Sequence, residues 1–356
     1  MDQKSKICIL FGGKSVEHEI SILSARNIVS YIDETLFDVI LVGIDKMGRW
    51  FLVTDVVDSI DKGEPLQLIL DTEEPSFYSV KTGIKVDFDV VFPVLHGTGG
   101  EDGSVQGLFK TINVPMVGTG VLGSALSMDK IVSKQVMRDL GIPVAKFISF
   151  SRIQLEQIHY ERVVSMFGLP FMVKSAALGS SVGVSKVSNE EGFSRALKDG
   201  FKFDERVVIE EFIDGREMEC AVMGNEDPVA AGPGEITIVK DYDFYNYAAK
   251  YLDRDAVRID VPAKVDKSVS IEIRKQSIRA YKALHCNDFA RVDLFLKDDG
   301  SVIINEINSI PGFTDVSMFP ALWEQEGIPN DKLITKLIDM AVERWERTNH
   351  IKRNFK

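Results

Sequence analysis

Three oxygen-bearing side chains near the end of the chain stand at a spacing that suits a metal ion. In "ARVDLFLKDDGSVIINEINS", Asp293 lies on one apolar run, and Glu306 and Asn308 lie on the next. The Asp299-Gly300 pair between the runs is a hairpin turn signal. Residues two apart on a strand share a face, so Glu306 and Asn308 point together and a tight turn brings Asp293 opposite them. Two carboxylates and an amide bind through oxygen alone, which suits a hard cation such as Mg2+. A polar sheet face with solvated acids is the plainer alternative.

A second constellation suits phosphate. "VKSAALGSSVGVSKV" places Lys174 at the end of one β-rich run, followed by a loop of small and hydroxylated residues. Its backbone N–H groups and the Ser180 and Ser181 hydroxyls can approach phosphate oxygens closely. No G-x-x-x-x-G-K-[ST] loop is present there, and an ordinary glycine-rich turn remains open. Lys130 and Lys250 are further candidate phosphate contacts, because several lysines around one polyphosphate make a local cationic pocket. In "RVVIEEFI", Glu210 and Glu211 close an apolar strand, with Glu217 after a glycine turn. A strand end can bind adenine through backbone groups, with an acid on ribose hydroxyls; taken alone, this stretch favours an edge strand with solvated acids.

Two further residues sit where ligands collect, at the carboxyl ends of strands in an open sheet. Glu17 falls in the first turn of a helix that follows Gly12-Gly13 and that Ser15 can cap. It can bind an ammonium group or serve only the helix terminus. His96 ends a buried run and precedes Gly97, although a lone histidine is often structural. His18, His159, His285 and His350 have no companions at zinc spacing, and no serine-hydrolase elbow or GxGxxG fingerprint appears.

These residues need a scaffold. "KICILFGG", "FDVILVGI" and "FDVVFPVLHG" read as buried strands alternating with helices, which predicts an open, mostly parallel sheet. The helix after Gly13 carries Ile20, Leu23, Ile28 and Ile32 as its apolar stripe. "SMDKIVSKQVMRDLG" reads as one helix stopped by Gly141 and Pro143. The middle holds the glycine-serine loop, a helix from about Asn189 and the strand ending in Glu210 and Glu211. The last third holds a strand "REMECAVMG", a helix from about Asp266 to Leu284, the acidic hairpin and a C-terminal amphipathic helix.

The chain has 356 residues, enough for two or three domains. Hydrophobic residues make up 45% and charged residues 27%, ordinary for a globular protein and an argument against disorder. A net charge of −12 argues against nucleic acid as a partner. The expected protein is cytoplasmic, with no membrane span: the three cysteines are scattered, the N-terminus lacks a signal-peptide core, and no apolar run approaches a spanning length.

In this order, "LFGGKSVEHEISILSA", "LHGTGGEDGSVQG", "SMDKIVSK", "GSSVGVSKV", "AAKY" and "RVDLF…INEINSIPGFT" resemble the D-alanine–D-alanine ligases of the ATP-grasp superfamily. The resemblance implies a three-domain α/β and α+β enzyme. A Rossmann-like domain with an open parallel sheet would span 1–124, a central subdomain with the flap 125–214, and a C-terminal subdomain with the metal site 215–356. It implies ATP-dependent joining of two D-alanines through an acyl phosphate, with release of ADP and phosphate, for peptidoglycan precursors. Lys130, Lys174, Ser180, Ser181 and Lys250 would contact ATP phosphates. Glu210, Glu211, Ile213 and Glu217 would hold adenosine. Asp293, Glu306 and Asn308 would ligate two Mg2+ ions, or Mn2+.

By the same resemblance, Arg291 would stabilise developing negative charge and Glu17 would bind the first D-alanine's ammonium. Ser180 and Tyr251 would complete a hydrogen-bonded trio with Glu17. His96 would lie near the first substrate, Ser317 near the second substrate's carboxylate, and Gly312 would also face substrate. A homodimer is the implied assembly. The sequence departs from the family pattern at Ser175, Ala177, Ala248 and Val316. Ligation to D-lactate or D-serine, or a non-catalytic nucleotide-binding role, are the alternatives. Tyr251 favours the dipeptide, and the presence of Arg291 and all three metal-ligand candidates disfavours the regulator.

Overall fold

The computed structural model describes residues 4–240 and 256–352. Among the described residues the strands form three sheets. The first sheet contains β1 (Ser5–Gly12), β2 (Phe37–Ile44), β3 (Trp50–Val53), β4 (Glu64–Ile69), β5 (Ser76–Ser79), β6 (Lys85–Asp87) and β7 (Val90–Val94), in the order 6-5-4-3-2-1-7. The second contains β8 (Phe147–Ser151), β9 (Phe171–Ser175), β10 (Val184–Val187) and β11 (Arg206–Glu211). The third contains β12 (Arg216–Met223), β13 (Val229–Ile238), β14 (Val257–Asp260), β15 (Phe289–Leu296) and β16 (Val302–Asn308). Helices α1 (His18–Tyr31), α2 (Ser104–Thr111), α3 (Val121–Met128), α4 (Lys130–Asp139), α5 (Tyr160–Phe167), α6 (Glu190–Phe203), α7 (Lys267–Ala283), α8 (Met318–Gln325) and α9 (Asn330–Asn349) cover them. No helix among the described residues is long and apolar enough to cross a membrane.

The first sheet corrects the expectation of a mostly parallel one. Only β1–β2 and β1–β7 pair parallel; β2 through β6 run antiparallel. A parallel return needs a crossover of a dozen or more residues. The link from Ile44 to Trp50 is too short for one, so the chain turns straight back. The parallel centre is still what places loops at the strand ends. β1 is buried on both faces from Ile7 to Gly12, as a central strand covered on both sides must be.

Two helical expectations also change. The stretch from Ser127 to Gly141 is broken at Asp129, whose side chain accepts from the N–H groups of Ile131 and Val132, both at 3.0 Å, and starts α4 afresh. Helix α1 begins at His18, so Glu17 occupies its N-cap position rather than its first turn. Ser15 does not cap the helix; its hydroxyl accepts from the Glu17 N–H at 2.9 Å. On α1 the buried apolar stripe is Ile22, Ala25, Ile28 and Ile32, while Leu23 is 43% exposed. Leu23 and Ile20 face a cavity described below.

One buried cluster joins the ends of the chain. Ile7, Ile9 and Phe11 of β1 and Ile22 and Ile28 of α1 belong with Leu333, Ile334, Leu337 and Ile338 of α9. Arg344 on α9 adds a polar link. Its Nε donates to Asp288 at 3.1 Å, and its Nη2 donates to the carbonyls of Met116 and Gly118 at 2.7 and 2.9 Å. Asp288 is wholly buried and also accepts the Gly118 N–H at 2.8 Å. Arg344→Ala strands that carboxylate, so chemical denaturation should show a loss of about 3–5 kcal/mol. A loss below about 1 kcal/mol, the worth of an exposed pair, would show the link to be marginal.

Candidate active site

A cavity of about 250 Å3 opens between the second and third sheets. Lys130, Lys174, Ser181, Glu210, Glu211, Ile213 and Glu217 all line it, together with Asp293 and Glu306. Met172, Ile236, Ile238 and Leu294 supply apolar wall. Polar groups at one end and an apolar slot at the other suit a nucleotide. The order of the chain explains the assembly. β9 brings Lys174, β11 brings Glu210 and Glu211 beside it, and the turn into β12 brings Ile213 and Glu217.

Charge in this cavity is organised around Glu210. Its Oε1 meets Lys174 Nζ, and its Oε2 lies 3.1 Å from Lys134 Nζ. Burial alone would push the carboxyl up, but the two ammonium groups outweigh it and hold it at about 2. Burial likewise pushes the Lys134 ammonium down, whereas Glu210 outweighs burial at Lys174 and holds that ammonium up. Asn305 joins both lysines: Lys174 donates to its Oδ1 at 3.1 Å and Lys134 to its carbonyl at 3.2 Å. Lys130 donates to the Leu178 carbonyl at 2.6 Å and stands 3.1 Å from Glu306.

The acidic hairpin forms as its spacing predicts. β15 and β16 pair antiparallel, with Asp293 opposite Glu306 and Arg291 opposite Asn308, and a register shift follows Asp293. Arg291 grips Asp293 with two bonds of 2.7 and 2.8 Å and lies 3.0 Å from Glu219. Asn308 donates to Asp293 at 2.9 Å. No group of three or more His, Cys, Asp or Glu at metal distance occurs among the described residues. The set here is two carboxylates and an amide, all oxygen donors and mostly shielded from solvent. That chemistry fits a hard divalent cation.

A second cavity, of about 450 Å3, shares Glu219, Ile236 and Glu306 with the first. Glu17, His96, Ser180, Arg291, Asn308, Gly312 and Ser317 line it. The Ser180 hydroxyl donates to Glu17 Oε1, so the flap reaches the N-terminal part directly. Ser180 and Ser181 hold φ of +53° and +57°, a left-handed pair that costs free energy at non-glycine residues. Gly97 holds a left-handed φ of +74°, and a β-carbon there would lie 2.6 Å from Glu17 Oε2, so a larger residue would push that carboxylate aside. Ser317 Oγ accepts the Thr314 N–H at 2.9 Å. Tyr251 and Lys250 lie outside the described residues.

The family patterns described as "D-ala D-ala ligase N-terminus" and "D-ala D-ala ligase C-terminus" match residues 6–119 and 136–339. The chain is 45% identical to the D-alanine–D-alanine ligase of Oceanobacillus iheyensis over 98% of each. The chain belongs to the D-alanine–D-alanine ligase family. The structure of the family member from Coxiella burnetii superposes with a TM-score of 0.85 at 37% identity, covering 97% of each chain. The VanG D-Ala:D-Ser ligase from Enterococcus faecalis gives 0.86 at 34% identity, covering 95% of this chain and 100% of that one. The fold is the ATP-grasp fold of that family.

The departures from the family pattern have local explanations in part. Ser175 donates to the Gly200 carbonyl at 2.9 Å, tying β9 to α6. Ala177 uses its backbone, donating to Asp204 at 2.8 Å, so the flap base is anchored without a polar side chain there. Val316 is 62% exposed at the rim of the second cavity. Ala248 lies outside the described residues. Reasoning from sequence missed Lys134, Asn305, Glu219 and Glu101. All four lie within the sequence motifs described above, Lys134 four residues after Lys130 on one helix face. Glu101 accepts from the N–H groups of Gly97 at 2.7 Å and Ile310 at 3.0 Å. Burial, then the charge of Glu17, pushes its carboxyl up to about 8.

Because the Glu210 carboxyl sits at about 2 against an ordinary 4.5, folding favours its ionised form. The stability this confers is full above the ordinary value and falls as pH drops from there toward 2. Glu210→Gln should lose stability at neutral pH, by roughly 3 kcal/mol, through two uncompensated buried lysines. Its denaturation midpoint should then change less than the parent's below pH 4.5. Parallel acid dependence in the two proteins would contradict the charge assignment.

Proposed function

We propose that the two cavities divide the work of ATP-dependent D-alanine–D-alanine ligation, nucleotide in the first and both amino acids in the second. The observation that carries this is their common wall: Glu306 and Glu219 line both, and Arg291 enters the second from the hairpin that borders the first. A phosphoryl group leaving the nucleotide would meet the amino-acid carboxylate there. The Glu17 carboxylate, oriented by Ser180, binds the first D-alanine's ammonium. Lys130 and Lys174 neutralise the triphosphate, and Arg291 stabilises the charge that develops as the carboxylate attacks the γ-phosphate. The amine of the second D-alanine, with its carboxylate near Ser317 and Gly312, attacks the acyl phosphate and displaces phosphate.

Asp293, Glu306 and Asn308 would hold Mg2+, or Mn2+, which neutralises the phosphate oxygens when bound. Lys250 and Tyr251 extend the nucleotide contacts and the Glu17–Ser180 pair in this reading. Glu210, Glu211, Ile213 and Glu217 serve the adenosine end. Water must be kept from the acyl phosphate, and the flap, held down by Ser180 on Glu17, supports that role. Domain boundaries near residues 125 and 215 accompany the reading; the strands of the three sheets fall in successive ranges on either side. A cytoplasmic location is supported by three buried, unpaired cysteines. A homodimer rests on the family resemblance alone.

The likeness to a D-Ala:D-Ser ligase favours D-serine as the second reading for the second substrate. Phosphate release and product formation with ATP, Mg2+ and a panel of D- and L-amino acids, D-serine and D-lactate decide between them. The expected result is D-alanine-dependent release with the dipeptide as main product; a mixed or ester product at neutral pH would displace it. Glu306→Gln should slow release about a hundredfold or more in a folded protein. Near-normal turnover would refute the metal assignment.

A further inference from the structure

Residues 310–313 belong to the C-terminal part of the chain, and Ile310, Pro311 and Gly312 form wall of the second cavity. Four of their backbone groups are held by side chains from the N-terminal part. Ile310 gives its N–H to Glu101 and accepts at its carbonyl from His96 Nδ1, at 3.0 and 2.9 Å. Phe313 gives its N–H to Ser24 Oγ at 3.2 Å and accepts at its carbonyl from Asn27 Nδ2 at 2.5 Å. Pro311 and Gly312 are thus suspended between two residues fixed at both ends.

The donors order themselves. A carbonyl can only accept, so His96 carries its proton on Nδ1. Its Nε2 then accepts from the Ser24 hydroxyl at 3.0 Å, and the Ser24 oxygen takes the Phe313 N–H. Both ring nitrogens are committed to the protein, so His96 serves the loop rather than gripping substrate. Burial lowers the imidazole's proton affinity, which agrees with a neutral ring. Ser24 is wholly buried and does not line the cavity, so it acts through His96 and the loop.

We propose that Ser24 and Asn27, with His96 as intermediary, are positioning residues that fix the Ile310–Phe313 loop and with it the seat of the second amino acid. This rests on the ligase reading and names residues that act on its second half-reaction. If the seat loosens, acyl phosphate still forms but waits longer for the amine, and water takes a larger share.

The test measures phosphate release and dipeptide formation in parallel on the full chain with ATP, Mg2+ and D-alanine. The parent should release one phosphate per dipeptide. Ser24→Ala and Asn27→Leu should each raise the KM for the second D-alanine about five- to tenfold, the worth of one or two hydrogen bonds. Each should raise the phosphate-to-dipeptide ratio above one at subsaturating D-alanine, with the KM for ATP unchanged. Asn27 is only half-buried, so its variant remains informative if the Ser24 variant folds poorly. An unchanged ratio and KM in folded variants would overturn the proposal. So would a uniform fall in every parameter together with the melting temperature, because that marks a merely structural role. A parent that makes no dipeptide would overturn the ligase reading as well, and the parent control shows that separately.

Discussion

A carboxylate without water around it must be matched by cations or neutralised, and Glu210 is matched twice. The ion pairs to Lys134 and Lys174 and their shared partner Asn305 join α4, β9, β11 and β16 at one point. Those elements come from both of the sheets that enclose the first cavity. None of them can shift far without exposing an unpaired charge in a region with little solvent to screen it. The apolar slot, the flap hinge and the acidic hairpin are therefore located relative to one another by a single buried charge cluster, before any ligand arrives.

The hairpin was the most legible part of the site. An Asp-Gly turn marks the hairpin and the two-residue period of a strand fixes faces, so the meeting of Asp293 and Glu306 was legible, although the turn pairs Leu296 with Val302 and a register shift next to Asp293 is what brings Glu306 opposite it. The positions of Glu17 and His96 at the mouths of β1 and β7 followed from the parallel centre of the first sheet. The antiparallel extension β3–β6 was not legible, because those strands are short, three to six residues each, and give no clear period. Lys134, Glu101 and Ser24 were invisible for another reason. Each looks like an ordinary polar residue on a helix or loop, and its meaning depends on a partner far away in sequence. Local periodicity carries no information about such pairings. At Asp129 a local rule did exist: an N-cap aspartate overrides a continuous helical pattern.

Helix α1 shows how one element serves two environments. Its apolar stripe packs in the cluster with β1 and α9, while Ser21, Ser24 and Asn27, spaced three apart, turn a polar edge toward the strand ends and the cavity wall. Ser21 accepts the Gly12 N–H at 2.7 Å and donates to the Val94 carbonyl, fastening the helix to β1 and β7. The helix that seats the N-terminal core therefore also carries the side chains that reach the far end of the chain.

The shared wall between the two cavities has a thermodynamic consequence. Glu306 and Glu219 face both spaces, and Arg291 is bonded to Glu219 and Asp293, two of the acids that border the first cavity. A ligand entering one space changes the electrostatic surroundings of the other. Linkage requires any such effect to be reciprocal: whatever factor a ligand of the first cavity applies to affinity in the second, a ligand of the second applies to affinity in the first. A coupling of this kind between ligands of the two cavities would need no long-range signal and no moving domain, because both would lean on the same partition.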